Sequence, residues 1–407
     1  MQNFFQLWND SVITSLGFFW MALWAFILGY IISSLIQVLV TRTRMQKSMG
    51  KDGAKSIFLG TFFGFLSSSC SFSALSTTRA IFNKGAGLAP SVAFLLASTN
   101  LVIELGMVIA IFLGWQFVVG EYVGGIMLIL ISWLIIRITR PKRLEAQARK
   151  KLDSDEDEEE EQLSWKKKIF SFKSWQKIGQ TYVMEWQMVW KDVLIGFTVA
   201  GIISAMVPDS FFQALFIGSG NANMANPSFY TVLMQTLVGP IAAFFTFIGS
   251  MGNIPLAAVL FGQGVTFAGV MAFIFSDLVV FPVLRINASY YGWKMALYLL
   301  AIMFVGIIIS ALSMHYALVY LDLLPDFSSV IAPNEREYFK FNYQMVLNII
   351  LILFNLLLIW FWSKSNGQHQ HHHHSDSSST ITEKIQYIIV ILAIVWLIGG
   401  LIVSLFI

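Results

Sequence analysis

A chain of 407 residues that is 57% hydrophobic and only 12% charged, with a mean hydropathy of +0.70, carries more apolar surface than a soluble domain can bury. Long apolar runs favour helices over a barrel, because each helix satisfies its own backbone hydrogen bonds in lipid, so the expected class is an all-α polytopic membrane protein. The formal net charge of +3 decides little, and the lone cysteine forms no intrachain disulfide and fixes no redox compartment.

In chain order, full apolar spans are predicted near 12–40, 86–114, 117–137, 190–216, 265–284, 294–320, 342–363 and 385–407. No basic start or small-residue cleavage site marks a signal peptide, so the first span is expected to stay as an anchor. Two further apolar segments, near 55–84 and 229–263, are broken by SSSCS and by GSMGNIP (Gly249–Pro255). Inside a membrane such breaks are tolerated only where they are buried or water-lined.

Loop charge orients these segments. Arg42, Arg44, Lys47, Lys51 and Lys55 follow the first span, and Lys142, Arg143, Arg149, Lys150 and Lys166–Lys168 lie in the loop from Arg140 to Trp186. Both loops are expected in the cytoplasm, which requires 55–84 to enter and return on one side. The same treatment of 229–263 leaves Arg285 and Lys294 inside and Asp322, Asp326, Glu335 and Glu337 outside. The predicted topology is eight full spans and two re-entrant hairpins, with both termini outside.

A repeat runs through this pattern. GAGLAPSVAFLLAS (Gly85–Ser98) aligns without gaps on GVTFAGVMAFIFSD (Gly264–Asp277), and the same register sets Cys70 opposite Gly249 and Ser76 opposite Pro255. Three crossings per half make the second half inverted, a recurrent transporter design with broken helices at the midplane. The expected organisation is a first membrane repeat over 1–139, a charged cytoplasmic linker over 140–187, a second repeat over 188–320, and a C-terminal helix pair over 321–407. DSDEDEEEE (Asp153–Glu161) reads as a solvated stretch of that linker. The tryptophan-, tyrosine- and lysine-bearing stretch Lys173–Trp190 is expected to lie on the membrane surface before the next span.

Ionisable groups inside spans are expensive and so are functional candidates. Glu104 in STNLVIELG and Asp277 in IFSDLVVFP are expected to line a polar path between the repeats and to couple solute movement to a proton. The structural alternative is that each pairs with Arg79 or Arg285 or caps a broken helix. Ser98, Thr99, Asn100 and Asn253 either hydrogen-bond between helices or coordinate solute. Cys70 is either a soft ligand suited to copper(I) or trivalent arsenic or a small buried apolar residue. The loop residues His369, His371, His372, His373 and His374 either collect or sense metal or form a low-complexity spacer. GxxxxGK[ST], HExxH and GxSxG are absent from the sequence, so no enzyme activity and no cofactor is expected. The expected partners are a small-molecule or ion substrate and the lipid bilayer, with no nucleic acid.

CSFSALSTTRAIFNKGAGLAPSVAFLLASTNLVIELG, GWQFVVGEYVGG (Gly114–Gly125) and FIFSDLVVFPVLRINASYYGWKMALYL (Phe273–Leu299) closely resemble the predicted-permease family that includes the trivalent organoarsenical efflux permeases. The resemblance covers most of residues 10–320. It implies a multi-pass plasma-membrane permease, with Cys70 as the residue that would touch thiophilic arsenicals and His369–His374 as a metal-binding insert before the last helices. Ser76 stands where the second half has Pro255, and the second hairpin lacks a cysteine. The chain therefore resembles the broad, uncharacterised permease branch more than the arsenical one. The substrate expected is a soft metal or metalloid species exported from the cytoplasm. A passive channel and a metal-sensing accessory protein that uses the His-rich loop are the alternatives.

Overall fold

The computed structural model describes residues 2–39, 53–67, 71–83, 85–152, 172–216, 227–246, 250–327, 338–364 and 381–403. Regular structure among them is helical throughout. Cys70 and His369–His374 lie outside the described residues.

The first half consists of α1 (Gln2–Leu39), α2 (Ala54–Ser67), α3 (Ser71–Asn83), α4 (Leu88–Asn100), α5 (Ile103–Phe112) and α6 (Trp115–Thr139). A short α7 (Lys142–Leu152) follows. The second half consists of α8 (Phe172–Met206), the short α9 (Asp209–Leu215), α10 (Phe229–Thr246), α11 (Ser250–Gly262), α12 (Phe267–Ile274) running into a 3-10 turn (Phe275–Leu278), α13 (Phe281–Tyr291) and α14 (Trp293–Tyr320). The chain ends with α15 (Tyr343–Ser363) and α16 (Ile381–Val403). Among the described residues, seven stretches are long and apolar enough to cross a membrane, and Leu88–Phe112 makes an eighth as a span bent by 42°. All eight overlap the spans predicted from sequence.

Small residues set the packing. In lipid, helices associate through close van der Waals contact rather than a hydrophobic drive, so glycine faces decide which helices meet. A methyl built on Gly60 would lie 2.5 Å from the Pro90 carbonyl oxygen, and one on Gly64 would strike the Phe94 carbonyl. Rising numbers on α2 thus meet rising numbers on α4, and the two helices run parallel. Since α3 must lead back to the start of α4, α2 and α3 form a hairpin whose two ends share one side. In the second half a methyl on Gly239 would lie 2.7 Å from the Gly269 carbonyl oxygen, and Gln235 Oε1 accepts from the Thr266 N–H at 2.7 Å. So α10 runs parallel to α12, and α10–α11 forms the matching hairpin.

The register that lays Gly85 on Gly264 also lays Gly60 on Gly239, Pro90 on Gly269, and the bounds of α3 on those of α11. Even the turns correspond. The Gly85 and Ala86 N–H groups donate to Phe82 and Ile81, while Gly264 and Val265 donate to Phe261 and Leu260. Gly85 and Gly264 have φ of 98° and 83°, left-handed values that cost a Cβ-bearing residue and suit glycine after a helix end. Equivalent helices pack antiparallel. On α6 and α14, Thr139 meets Tyr298, and a methyl on Gly124 would lie 3.4 Å from Met314. On α1 and α8, Tyr30 meets Trp186 at 5.2 Å between ring centroids and Phe19 meets Phe197 at 6.2 Å.

Four expectations need correction. Phe172–Met206 is one continuous helix with Ile178, Tyr182 and Glu185 buried, so Lys173–Trp190 is not a separate surface element. Its amphipathic face packs on α1 and α15, which the sequence alone could not distinguish from a lipid surface. The span drawn as 190–216 ends at Met206, before Pro208, and α9 is separate. The spans drawn as 86–114 and 265–284 are themselves discontinuous. Finally, α11 begins at Ser250 and runs through Pro255, so Asn253 and Pro255 lie within a helix rather than in its break.

Candidate permeation site at two helix breaks

Each half contains a discontinuous helix beside its hairpin. In the first half α4 stops at Asn100, Val102 is extended at φ −82° and ψ 143°, and α5 restarts at Ile103. The Val102 carbonyl accepts from the Gly106 N–H at 3.3 Å, the first bond of α5, and also from the Tyr122 hydroxyl at 3.2 Å. In the second half α12 tightens into the 3-10 turn, Val280 is extended at φ −66° and ψ 151°, and α13 restarts with Pro282 in its first turn. Proline fits there because an N–H at that position has no helical partner. From Leu88 to Asn100, 13 residues of helix rise about 20 Å. Against a hydrocarbon core of about 30 Å, that places the break well inside the membrane.

The breaks hold the acids predicted from sequence. Glu104 is buried in the first turn of α5, where a carboxylate interacts favourably with the exposed N–H groups of a helix start. It packs against α1 at Gly29, where any Cβ would collide with its own. Asp277 is buried in the 3-10 turn. Asn253 is buried on α11, which packs against both α5 and the 3-10 turn. Helix α11 thus touches one segment of each discontinuous helix. Neither amide atom of Asn253 has a hydrogen-bond partner among the described residues, nor has Asn100 Nδ2. Unpaired buried amides of this kind are costly in a native protein and mark places where a solute or water is expected.

Other candidates fall differently. Ser98 spends its hydroxyl on the Leu95 carbonyl at 2.9 Å, and Thr99 spends its own on Leu95 and Leu96. Both bind their own helix. Arg79 stands 4.5 Å over the Tyr290 ring, at the contact of α3 with α13. Beside it is a small cleft between the halves, where Thr78, Phe82 and Ser91 face Asn287 and Tyr291. Helix α7 meets the cleft lining at Phe82. Arg149 donates to the Phe82 and Ala86 carbonyls at 2.6 Å each and lies 4.0 Å over the Phe82 ring, while Lys151 donates to the Ala288 carbonyl at 3.1 Å. The start of the charged linker is thus a clasp across the end of the first hairpin and α13.

Glu121 escaped the sequence reading although it sits in the quoted stretch GWQFVVGEYVGG. The signal that found Glu104, an acid deep in an apolar span, applies to it equally. It is 0% exposed on α6, and neither carboxylate oxygen has a hydrogen-bond partner among the described residues. Asn100 faces the same side of α6: a methyl on Gly125, one turn from Glu121, would lie 3.5 Å from the Asn100 Cβ. Glu185, Asp192 and His315 are further buried titratable residues that the sequence reading passed over. Among the described residues no three His, Cys, Asp or Glu side chains converge as a metal cage.

Comparison with known proteins agrees with this architecture. A family model described as "Predicted permease" matches residues 8–316. A protein of Mycobacterium tuberculosis named "Putative permease Rv2963" is 32% identical over 325 residues, covering 77% of this chain and 78% of its own. No solved structure matches. Multiple apolar spans, two discontinuous helices with buried acids and this match lead to one statement: the chain belongs to the predicted-permease family.

Proposed function

We propose that the protein is a plasma-membrane permease that moves a small solute by alternating access between two inverted halves. The observation that carries this reading is the pairing of buried acids with helix breaks: Glu104 and Asp277 lie at discontinuities of corresponding helices, and α11 packs against both elements that carry them. The antiparallel packing of α1 on α8 and of α6 on α14 supports the inversion. Discontinuous helices beside hairpins are where transporters bind solute near the midplane. In this reading Asn100 and Asn253 contact the solute, Glu104 and Asp277 carry the coupling charge, and Arg79 borders the cytoplasmic approach. Ser98, bonded to its own helix, shapes the break.

The solute is a soft metal or metalloid species exported from the cytoplasm. That choice rests on Cys70, which would be the thiophilic contact of the first hairpin, and on His369–His374, which would gather metal ions at the cytoplasmic mouth. Uptake into inside-out membrane vesicles tests the reading, using arsenite, methylarsenite, copper(I), zinc and simple anions with and without a pH gradient. Gradient-dependent accumulation of one species, lost in Glu104→Gln or Asp277→Asn, is the expected result. Flux that equilibrates without regard to the gradient would make the protein a passive channel. No flux of any species by folded protein would favour a metal-sensing accessory role for the His-rich loop.

A further inference from the structure

The start of the charged linker grips both halves of the protein. Helix α7 leaves α6 after only Arg140 and Pro141, and its Leu144 and fully buried Ala148 join the core. It packs on α3 of the first half and on α13 and α14 of the second. Arg149 donates from Nη1 to the Phe82 carbonyl and from Nη2 to the Ala86 carbonyl, at 2.6 Å each, and its guanidinium lies 4.0 Å from the centre of the Phe82 ring. Two residues on, Lys151 donates to the Ala288 carbonyl at 3.1 Å. Phe82 lies in the last turn of α3 and Ala288 in that of α13, where the helix dipole attracts a cation. Each half thus offers one helix end to one cation of α7.

The two helices tied in this way form a junction between the halves. Helix α3 is the returning arm of the first hairpin, and α13 is the segment that restarts after the second break. Phe82 meets Tyr291 edge-on at 5.7 Å between ring centroids, and Arg79 stands 4.5 Å over the Tyr290 ring. The cleft at this junction is lined by Thr78 and Ser91 from the first half and by Asn287 from the second, and all three are buried. Ser91 bonds to the Gly87 carbonyl, but Thr78 Oγ1 and Asn287 Oδ1 have no hydrogen-bond partner among the described residues. A permanent seal is expected to satisfy its polar atoms, because a buried unpaired oxygen is costly. A junction that opens to water regains that cost in the open state.

We propose that α3 and α13 form a gate on the cytoplasmic side of the pathway and that α7 is its latch. While Arg149 holds α3 and Lys151 holds α13, the two helix ends stay together and the gate is shut, as in this structure. Release of Lys151 frees the second half from the strap. Helix α13 then moves away from α3, and water reaches Thr78 and Asn287. The unpaired oxygens favour opening and the strap opposes it, so the balance between them sets how often the pathway faces the cytoplasm. The inference rests on the permease reading, and on the loop charge that orients α7 toward the cytoplasm, for its purpose. The latch itself is testable without any solute.

The test uses the full-length protein in membrane vesicles, with Ser91→Cys as the single thiol in a Cys70→Ser background and a membrane-impermeant maleimide as the probe. Serine to cysteine changes little in shape, so the cleft keeps its packing. With α7 intact, labelling from inside-out vesicles should be slow. In Lys151→Ala or Arg149→Ala it should be roughly tenfold faster, the change that loss of one charge-assisted hydrogen bond brings to an opening equilibrium. In Thr78→Val, which replaces the unpaired hydroxyl by a methyl group, it should be slower than with α7 intact. Ser132→Cys is the control, buried on α6 against Gly306 of α14, and should stay unlabelled throughout. If Ser91→Cys fails to insert, Asn287→Cys reports from the other wall of the cleft. Unchanged labelling in both latch variants would overturn the proposal. So would equal acceleration at Ser132→Cys, which would mean general loosening, or acceleration only from right-side-out vesicles, which would put the junction on the other face. A working latch in a protein that moves no solute would refute the permease reading and leave the gate standing, and transport without any latch effect would do the reverse.

Discussion

Gly60→Ala probes the hairpin that frames the first break. The new methyl would lie 2.5 Å from the Pro90 carbonyl oxygen, with the Pro90 C and Cα at 3.3 and 3.4 Å. All three are backbone atoms, so no side chain can swing away. The helices must part by roughly half an ångström or more, and overpacking of this kind costs about 1–3 kcal/mol. Alanine regains about 1 kcal/mol of helix propensity, leaving a net loss of up to about 2 kcal/mol. Gly262→Ala is the control, because a methyl there meets nothing within 4 Å and only the propensity gain remains. Gly239→Ala repeats the perturbation in the second half, 2.7 Å from the Gly269 carbonyl oxygen. The two sites share no partner, so their effects should add. Denaturant unfolding of the purified protein, followed by tryptophan fluorescence, reads these differences. If Gly60→Ala were as stable as Gly262→Ala, the parallel packing of α2 on α4 would be wrong, and with it the derivation of a hairpin.

Three other outcomes follow from the geometry. Arg149→Ala removes two charge-assisted hydrogen bonds from the clasp, each worth about 1.5–3 kcal/mol in a buried setting and less at this half-exposed position. Hydrogen exchange across residues 142–152 should accelerate while that of α6 is unchanged; equal protection would show that α7 is held by other contacts. Gln235→Leu strands the Thr266 N–H at the start of α12, at a cost of about 1–3 kcal/mol in unfolding experiments; wild-type stability would mean that the N–H finds another partner. In a Cys70→Ser background, the pair Thr139→Cys and Tyr298→Cys should cross-link readily on oxidation, whereas Thr139→Cys with Tyr316→Cys should not. Reversed preference would contradict the antiparallel packing of α6 on α14.

Apolar run length was enough to find the long apolar helices among the described residues, because lipid leaves few other solutions for a chain of this composition. The Gly85/Gly264 register was also legible, since left-handed turns demand glycine at fixed places. What could not be read were the breaks in 86–114 and 265–284. Leu101 and Val102 are apolar and neither is a helix breaker; the contacts at the break, Leu101 against Gly125 and the Val102 carbonyl with the Tyr122 hydroxyl, are long-range. GSMGN looks like a loop in isolation, yet Asn253 lies buried inside α11, where Gly252 packs against Gly196 of α8. Glu121 was missed for a different reason. Its signal was present, while the packing around it, α6 against α12 and the 3-10 turn at Gly120 and Gly124, is long-range and invisible to local pattern.

The central claim is that the two breaks form a site reached from each side of the membrane in turn. The most direct measurement places a single cysteine at Asn253 in a Cys70→Ser background and tests its labelling by a membrane-impermeant thiol reagent, applied separately to right-side-out and inside-out vesicles. The account predicts labelling from both sides, with a shift in the balance between them when the transported species is added. A cysteine at this position that reacts from neither side under any condition would contradict it, because Asn253 would then be sealed inside the protein and the breaks would be no pathway.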